Sequence, residues 1–321
     1  MSTNSTSLTT LLKIVQQISL TVNFLTIIIG TIGGICNFIT FTTPKLRRNS
    51  CVFYLLCANT FQMISILIPI SIRLLLGYFG DNLESQSIIF CKARYYLSFT
   101  LPALATFYML LSILDRCLTT SSHAKIRAWS QIKVAYPLSF VVFIFGCIIN
   151  IHIIVFQVIY NNKCQISANS IYEVFLAVHI VFFISLLPHI LMLILCLITF
   201  LNLKQRKTRI LPNTTNVRSS LIKRFEAQLI TIIVTQTIVG TVFLLLRVGS
   251  YSYSLLTRNK LNKIDGEIAA ENLTLQMGVA FYFFNFALSF YISTLTSKYF
   301  RETFRKRVTE FYRRRISCRQ F

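Results

Sequence analysis

The sequence predicts an all-α protein, a seven-transmembrane helix bundle followed by a short amphipathic eighth helix. Three observations carry this. First, 54% of the 321 residues are hydrophobic, only 13% are charged and 28 are Phe, which is more apolar side chain than one soluble core takes up, so lipid is the solvent. Second, seven mostly uncharged windows occur, at 20–41, 52–76, 95–114, 134–159, 171–201, 229–248 and 274–295; each holds at least the roughly 20 residues that cross a hydrocarbon core about 30 Å thick. Third, these runs are continuous rather than alternating, so their backbone hydrogen bonds close internally as helices and not around a barrel.

The first span follows the polar stretch MSTNSTSLTT. With no basic flank and no small-residue cleavage site, it reads as an uncleaved signal anchor. Asn37 in span one and Asn59 in span two are amides inside apolar runs, which pack as polar glue between helices. Pro69, Pro102 and Pro188 kink their helices where neighbours satisfy the freed carbonyls.

Span three ends in LLSILDRCLTT. Arg116 follows Cys91 by 25 residues, about 37 Å of helix, so Asp115 and Arg116 sit at a membrane boundary. An ion pair there either marks that boundary or holds its partners in one arrangement and releases them in another. Span six is entered through RSSLIKRFEAQLITII, where Glu226 is the sole acid among bases; it either balances a solvated helix start or reaches Arg116. After span seven, Phe300, Phe304, Val308 and Phe311 recur at helical spacing among Lys and Arg. That pattern predicts a basic amphipathic helix lying on anionic lipid. Cys318 beyond it is a palmitoylation candidate.

Charge gives the orientation. With the N-terminus outside, the inner connections and tail hold 23 of the 32 Lys and Arg and four of the ten acids, so the inside carries +19 and the outside +3. This satisfies the positive-inside rule. It also explains the net +22 as loop charge rather than a nucleic-acid footprint, and no nucleic-acid partner is expected. Of nine cysteines, only Cys91 and Cys164 then face outward. Two thiols alone in an oxidising compartment pair, tying the loop after span four to the head of span three.

At this point the chain resembles the rhodopsin-like G-protein-coupled receptors, over all seven spans. The residues that carry the likeness are Asn37 in GTIGGICNF, the pair Cys91 and Cys164, Asp115-Arg116-Cys117 in place of Asp-Arg-Tyr, Pro188 in LLPHILMLIL, and STLTSKYFRETFRKR leading into an eighth helix. Within that family the chain is most similar to divergent invertebrate receptors of the neuropeptide type. The resemblance implies an extracellular ligand, a heterotrimeric G protein as partner, and a switch built on Asp115 and Arg116, with Glu226 as the residue that closes it.

The departures are specific. Asn59 stands where the family has a sodium-binding acid. Span six lacks the family's Trp and Pro, and the proline's place falls on Leu246. Span seven lacks the Pro of Asn-Pro-x-x-Tyr: counting from Phe300 puts the tyrosine at Ser293, while pattern matching selects Tyr291. Trp129 precedes span four rather than lying in it. Position 98, where amine receptors carry an acid, is Ser98, so a biogenic amine is not expected. Instead Arg73, Arg94 and Arg247 lie near the outer ends of spans two, three and six. Ionisable residues there are candidate ligand contacts, for a peptide or an anionic ligand, unless they snorkel to headgroups.

The chain is thus read as an extracellular N-terminus at 1–18, a seven-span receptor domain at 19–297 and a cytoplasmic helix and tail at 298–321, in the plasma membrane. Asn4 and Asn272 are outward glycosylation sequons, while Asn213 faces inward. No metal cluster, cofactor motif or nucleophile constellation is present in the sequence, so no enzyme, metal or cofactor is expected. The other readings are a seven-helix partner protein that does not couple, and a transporter, for which the odd span count and lack of internal repeats speak poorly.

Overall fold

A computed structural model describes residues 2–44, 46–79, 87–160, 163–165, 171–209, 217–257 and 264–317. Seven helices long and apolar enough to cross a membrane are present: α1 (Thr10–Phe41), α2 (Ser50–Tyr78), α3 (Ile88–Thr120), α4 (Ile132–Phe156), α5 (Ile171–Gln205), α6 (Glu226–Thr257) and α7 (Gly266–Thr296). The chain is a multi-pass membrane protein with an all-α seven-helix bundle. A further helix, α8 (Lys298–Ser317), follows α7. Between α4 and α5 lies a two-stranded antiparallel hairpin, β1 (Val158–Tyr160) and β2 (Lys163–Gln165), with Ile159 opposite Cys164.

Several ends differ from the hydropathy windows. The first helix runs without a break over Ser2–Phe41, so the polar N-terminal stretch is not a separate segment. Lys13, Gln16 and Gln17 dilute the hydropathy there, but Val15 and Ser19 are buried and Gln16 Nε2 donates to the Gly77 carbonyl at 2.7 Å. α3 begins earlier than its window because Ser87 accepts from Phe90 N and caps it. α7 lies within a helix over Asp265–Thr296, which puts the Asn272 sequon two turns inside a helix, half-buried, and not in a loop.

Two of the three mid-span prolines sit at widened turns. Pro69 lies in a π segment, Ile66–Ile70, and Pro188 follows one at His179–Leu186. A proline removes its own N–H from the helix ladder, and a π turn absorbs the mismatch. Pro102 is accommodated in regular helix.

The bundle is apolar outside and partly polar inside, the expected arrangement when lipid is the solvent. Phe140, Phe145, Ile148 and Phe200 are exposed, while Asn37, Asn59, Asp115, Arg116 and Ser293 are buried. α1 and α7 approach closely at Gly33, where an added Cβ would lie 3.2 Å from Phe290 Cβ. The core at the α8 end gathers Phe41, Val52, Ile113, Ile232, Phe290 and Phe300. Phe300 meets Phe41 edge-on at 5.6 Å, and Phe304 meets Phe290 at 5.3 Å. α8 therefore turns Phe300 and Phe304 onto the bundle; the side chain of Phe311 and all of Cys318 lie outside the described residues.

Candidate functional site

At the α8 end of α3, Asp115 and Arg116 are 4% and 3% exposed. Both burials need polar partners. Arg116 Nη2 lies 2.6 Å from Asp115 Oδ2. The other carboxylate oxygen, Oδ1, accepts from Ser50 Oγ at 2.6 Å and from Ser130 Oγ at 2.7 Å. Ser50 opens α2 and Ser130 lies just before α4, so one carboxylate joins three helices.

Arg116 Nη2 also donates to Asn49 Oδ1 at 3.1 Å. That same oxygen caps α2 by accepting from Cys51 N at 3.0 Å, so the guanidinium shares an N-cap. Arg116 Nε is buried with no hydrogen-bond partner. Glu226, half-buried at the start of α6, makes no salt bridge with Arg116. In this arrangement Arg116 is held by α2 and its own neighbour, and not by α6.

Toward the bundle centre runs a chain of neutral bonds. Asn37 Nδ2 donates to Asn59 Oδ1 at 3.0 Å and to Ser289 Oγ at 3.3 Å, and Asn59 Nδ2 donates to the Gly34 carbonyl at 3.1 Å. Gln236 Nε2 on α6 donates to Ser289 O at 3.0 Å and to Ser293 Oγ at 3.1 Å. Asn37 and Asn59, each read from the sequence as a polar group between helices, bond to each other, and α1, α2, α6 and α7 are joined through Ser289. Gln236 Oε1 is buried without a partner, and it borders a cavity of about 40 Å³ shared with Gln62, Thr106, His189 and Asn285. That is room for a few waters.

Of the two candidates near the end of α7, Ser293 is fully buried on this chain. Tyr291 instead turns to α1 and donates to Ile29 O at 3.3 Å, away from Gln236 and Arg116.

At the opposite end, Cys91 and Cys164 form a disulfide with Cα atoms 5.7 Å apart. Tyr95 Oη donates to the Cys164 carbonyl at 3.2 Å, so α3 holds the hairpin covalently and by hydrogen bond. Arg247 on α6 stacks over Tyr282 at 4.2 Å, and Arg94 lies over Tyr95 at 5.4 Å. Such stacking stabilises a desolvated cation by ~1–2 kcal/mol. Among the described residues neither Arg73 nor Arg247 makes an ion pair. Ser98 is half-buried on α3.

Sequence reasoning missed Ser50, Ser130, Asn49 and Gln236. Only Gln236 left a signal, as a lone amide in the apolar run LITIIVTQTIVG. It also missed a polar aromatic cluster between α4 and α5, where His152 Nδ1 and Tyr172 Oη lie 2.8 Å apart and His179 Nε2 is 3.2 Å from Asn150 Oδ1. Among the described residues no group of three or more His, Cys, Asp and Glu is placed to hold a metal. The Asn4 side chain and all of Asn213 lie outside the described residues. No protein-family model matches the chain, and no curated protein matches it.

Proposed function

We propose that this chain is a signalling receptor of the rhodopsin-like G-protein-coupled type, in the plasma membrane with its hairpin end outside. In this reading an extracellular ligand shifts a two-state bundle and opens the α8 end to a heterotrimeric G protein. The observation that carries it is the Asp115–Arg116 pair: a buried charge pair held across α2, α3 and the α4 entry by two serine hydroxyls and one shared amide. Each of those bonds has one charged partner and is worth about 1.5–3 kcal/mol, so differential ligand binding of several kcal/mol is what releases them.

On the ligand side, Arg73 and Arg247 lack carboxylate partners among the described residues, which supports a peptide or anionic ligand over an amine. The missing Trp and Pro of span six and missing Pro of span seven favour a second reading, a seven-helix partner protein without coupling of its own.

One experiment separates the two. The full chain is expressed with a panel of G-protein reporters and challenged with peptide libraries. Coupling is expected, and Arg116→Ala should abolish it when signal is normalised to surface level, which is expected to fall because Asp115 keeps its two serine donors but loses its counter-charge. Unchanged coupling in Arg116→Ala overturns the switch. No coupling from the parent under any condition favours the partner-protein reading.

A further inference from the structure

A second cavity, larger than the one bordered by Gln236, lies away from the bundle centre. It measures about 410 Å³ and runs between α3 and α4 at the α8 end, walled by Leu111, Leu114, Leu118, Val134 and Leu138. It is also lined by Tyr54 and Asp115, which are buried, and by Ile126 and Trp129, which are exposed. An apolar groove of this size open to a membrane is filled by an acyl chain; the informative question is which headgroup sits above it.

The rim answers by charge. The connection from α3 to α4 holds Lys125 and Arg127, and Lys133 opens α4; all three are exposed. No Asp or Glu occurs anywhere between Asp115 and Glu173, so no acid of this stretch neutralises them. Arg127 is fixed over the end of α3 by donating to the Ser121 and Ser122 carbonyls, each at 3.1 Å. Asp115, the acid in the groove wall, is already engaged by Arg116, Ser50 and Ser130. Trp129, which lines the groove, is 68% exposed, and indole rings favour the headgroup level of a bilayer.

We propose that this groove binds one anionic phospholipid of the leaflet on the α8 side, its acyl chain between α3 and α4 and its headgroup against Lys125, Arg127 and Lys133. The bound chain lies against the wall that carries Asp115, so leaflet composition acts on the ion pair from outside the bundle. The site stands whether or not the chain couples to a G protein. Only naming its leaflet cytoplasmic rests on the orientation proposed above.

Trp129 is the single Trp of the chain, so its fluorescence reports this groove alone. The full chain is reconstituted in phosphatidylcholine vesicles doped, at equal mole fraction, with chain-brominated phosphatidylserine or chain-brominated phosphatidylcholine. One base near the surface favours an anionic lipid about fivefold, so quenching should give brominated phosphatidylserine a relative affinity about fivefold or more above brominated phosphatidylcholine. The triple variant K125Q/R127Q/K133Q should bring the two lipids level while quenching by brominated phosphatidylcholine stays as in the parent, which shows the groove intact. If that control quenching is lost, Lys133→Gln alone decides, with a partial fall in preference expected. Equal quenching by both lipids in the parent, or a serine-lipid preference that survives the substitutions, overturns the proposal.

Discussion

α3 and α4 are neighbours that solve opposite problems. In its most apolar stretch α3 is 61% buried, and α4 only 22%. Yet α3 carries the polar cargo: Thr100, Thr106, Ser112, Asp115, Arg116 and Thr120 are all buried on it, against Ser139 and Asn150 on α4. In water the more apolar helix goes inside. Here it goes outside, because lipid dissolves Phe140 and Ile148 at no cost while polar groups must find one another. Burial on α3 therefore measures how its polar groups are partnered, and apolarity on α4 measures contact with lipid.

The strongest way to break this contrast is to remove Asp115. Asp115→Ala leaves the Arg116 guanidinium buried without its counter-charge, a loss of about 3–5 kcal/mol. Phe140→Ala, at a side chain 64% exposed, should change stability by less than about 0.5 kcal/mol. Thermal unfolding of both variants in the same lipid nanodiscs measures the gap; equal shifts would mean that α4 packs as tightly as α3.

Next in size is the covalent tie. The hairpin that leaves α4 is joined to the head of α3 by Cys91–Cys164, a separation of 73 residues. Cys164→Ser should cost about 2–4 kcal/mol and lower surface expression. The double variant with Cys91→Ser should lose little more, since the two thiols act as one unit. Additive losses would show that each cysteine packs independently.

The smallest effect sharpens the comparison from within the interface. Tyr108 Oη on α3 donates to the Ser139 carbonyl on α4 at 2.8 Å and lies 3.1 Å from Ser139 Oγ. Tyr108→Phe should cost about 1 kcal/mol, read as a small drop in unfolding midpoint. A loss on the scale of Asp115→Ala would make this contact, and not the ion pair, the anchor of α4.

The spans were legible because a window of apolar residues is a property of local sequence. So was Asp115–Arg116, since a charge pair closing an apolar run is conspicuous wherever it folds. The disulfide followed from which cysteines remained outside once charge had set the orientation. What stayed hidden depends on neighbours distant in the chain: Ser50 and Ser130 become partners of Asp115 only when α2 and the α4 entry meet α3. Tyr291 and Ser293 differ by two positions, about 200° around a helix, so no pattern match decides which one faces inward. The extension of α1 was missed because Lys13, Gln16 and Gln17 lower the local hydropathy, although Gln16 is spent on the Gly77 carbonyl.

The π segment of α5 has a consequence for phase. Buried positions on this helix recur every four residues, at Ile180, Ile184, Pro188 and Met192, and in parallel at Ser185 and His189. On a regular helix a four-residue step overshoots a turn by about 40°, and such a stripe would wind off the bundle within three steps. The widened turn at His179–Leu186 takes up that drift, so α5 carries the equivalent of one extra residue. The half bearing Met192 and Thr199 is thereby set in rotation relative to the half bearing His179. Were the wide turn to relax to regular α-helix, one end of α5 would turn by up to about 100° against the other. Its contacts at the two membrane faces would then exchange partners with only the hydrogen bonds of that turn re-registering.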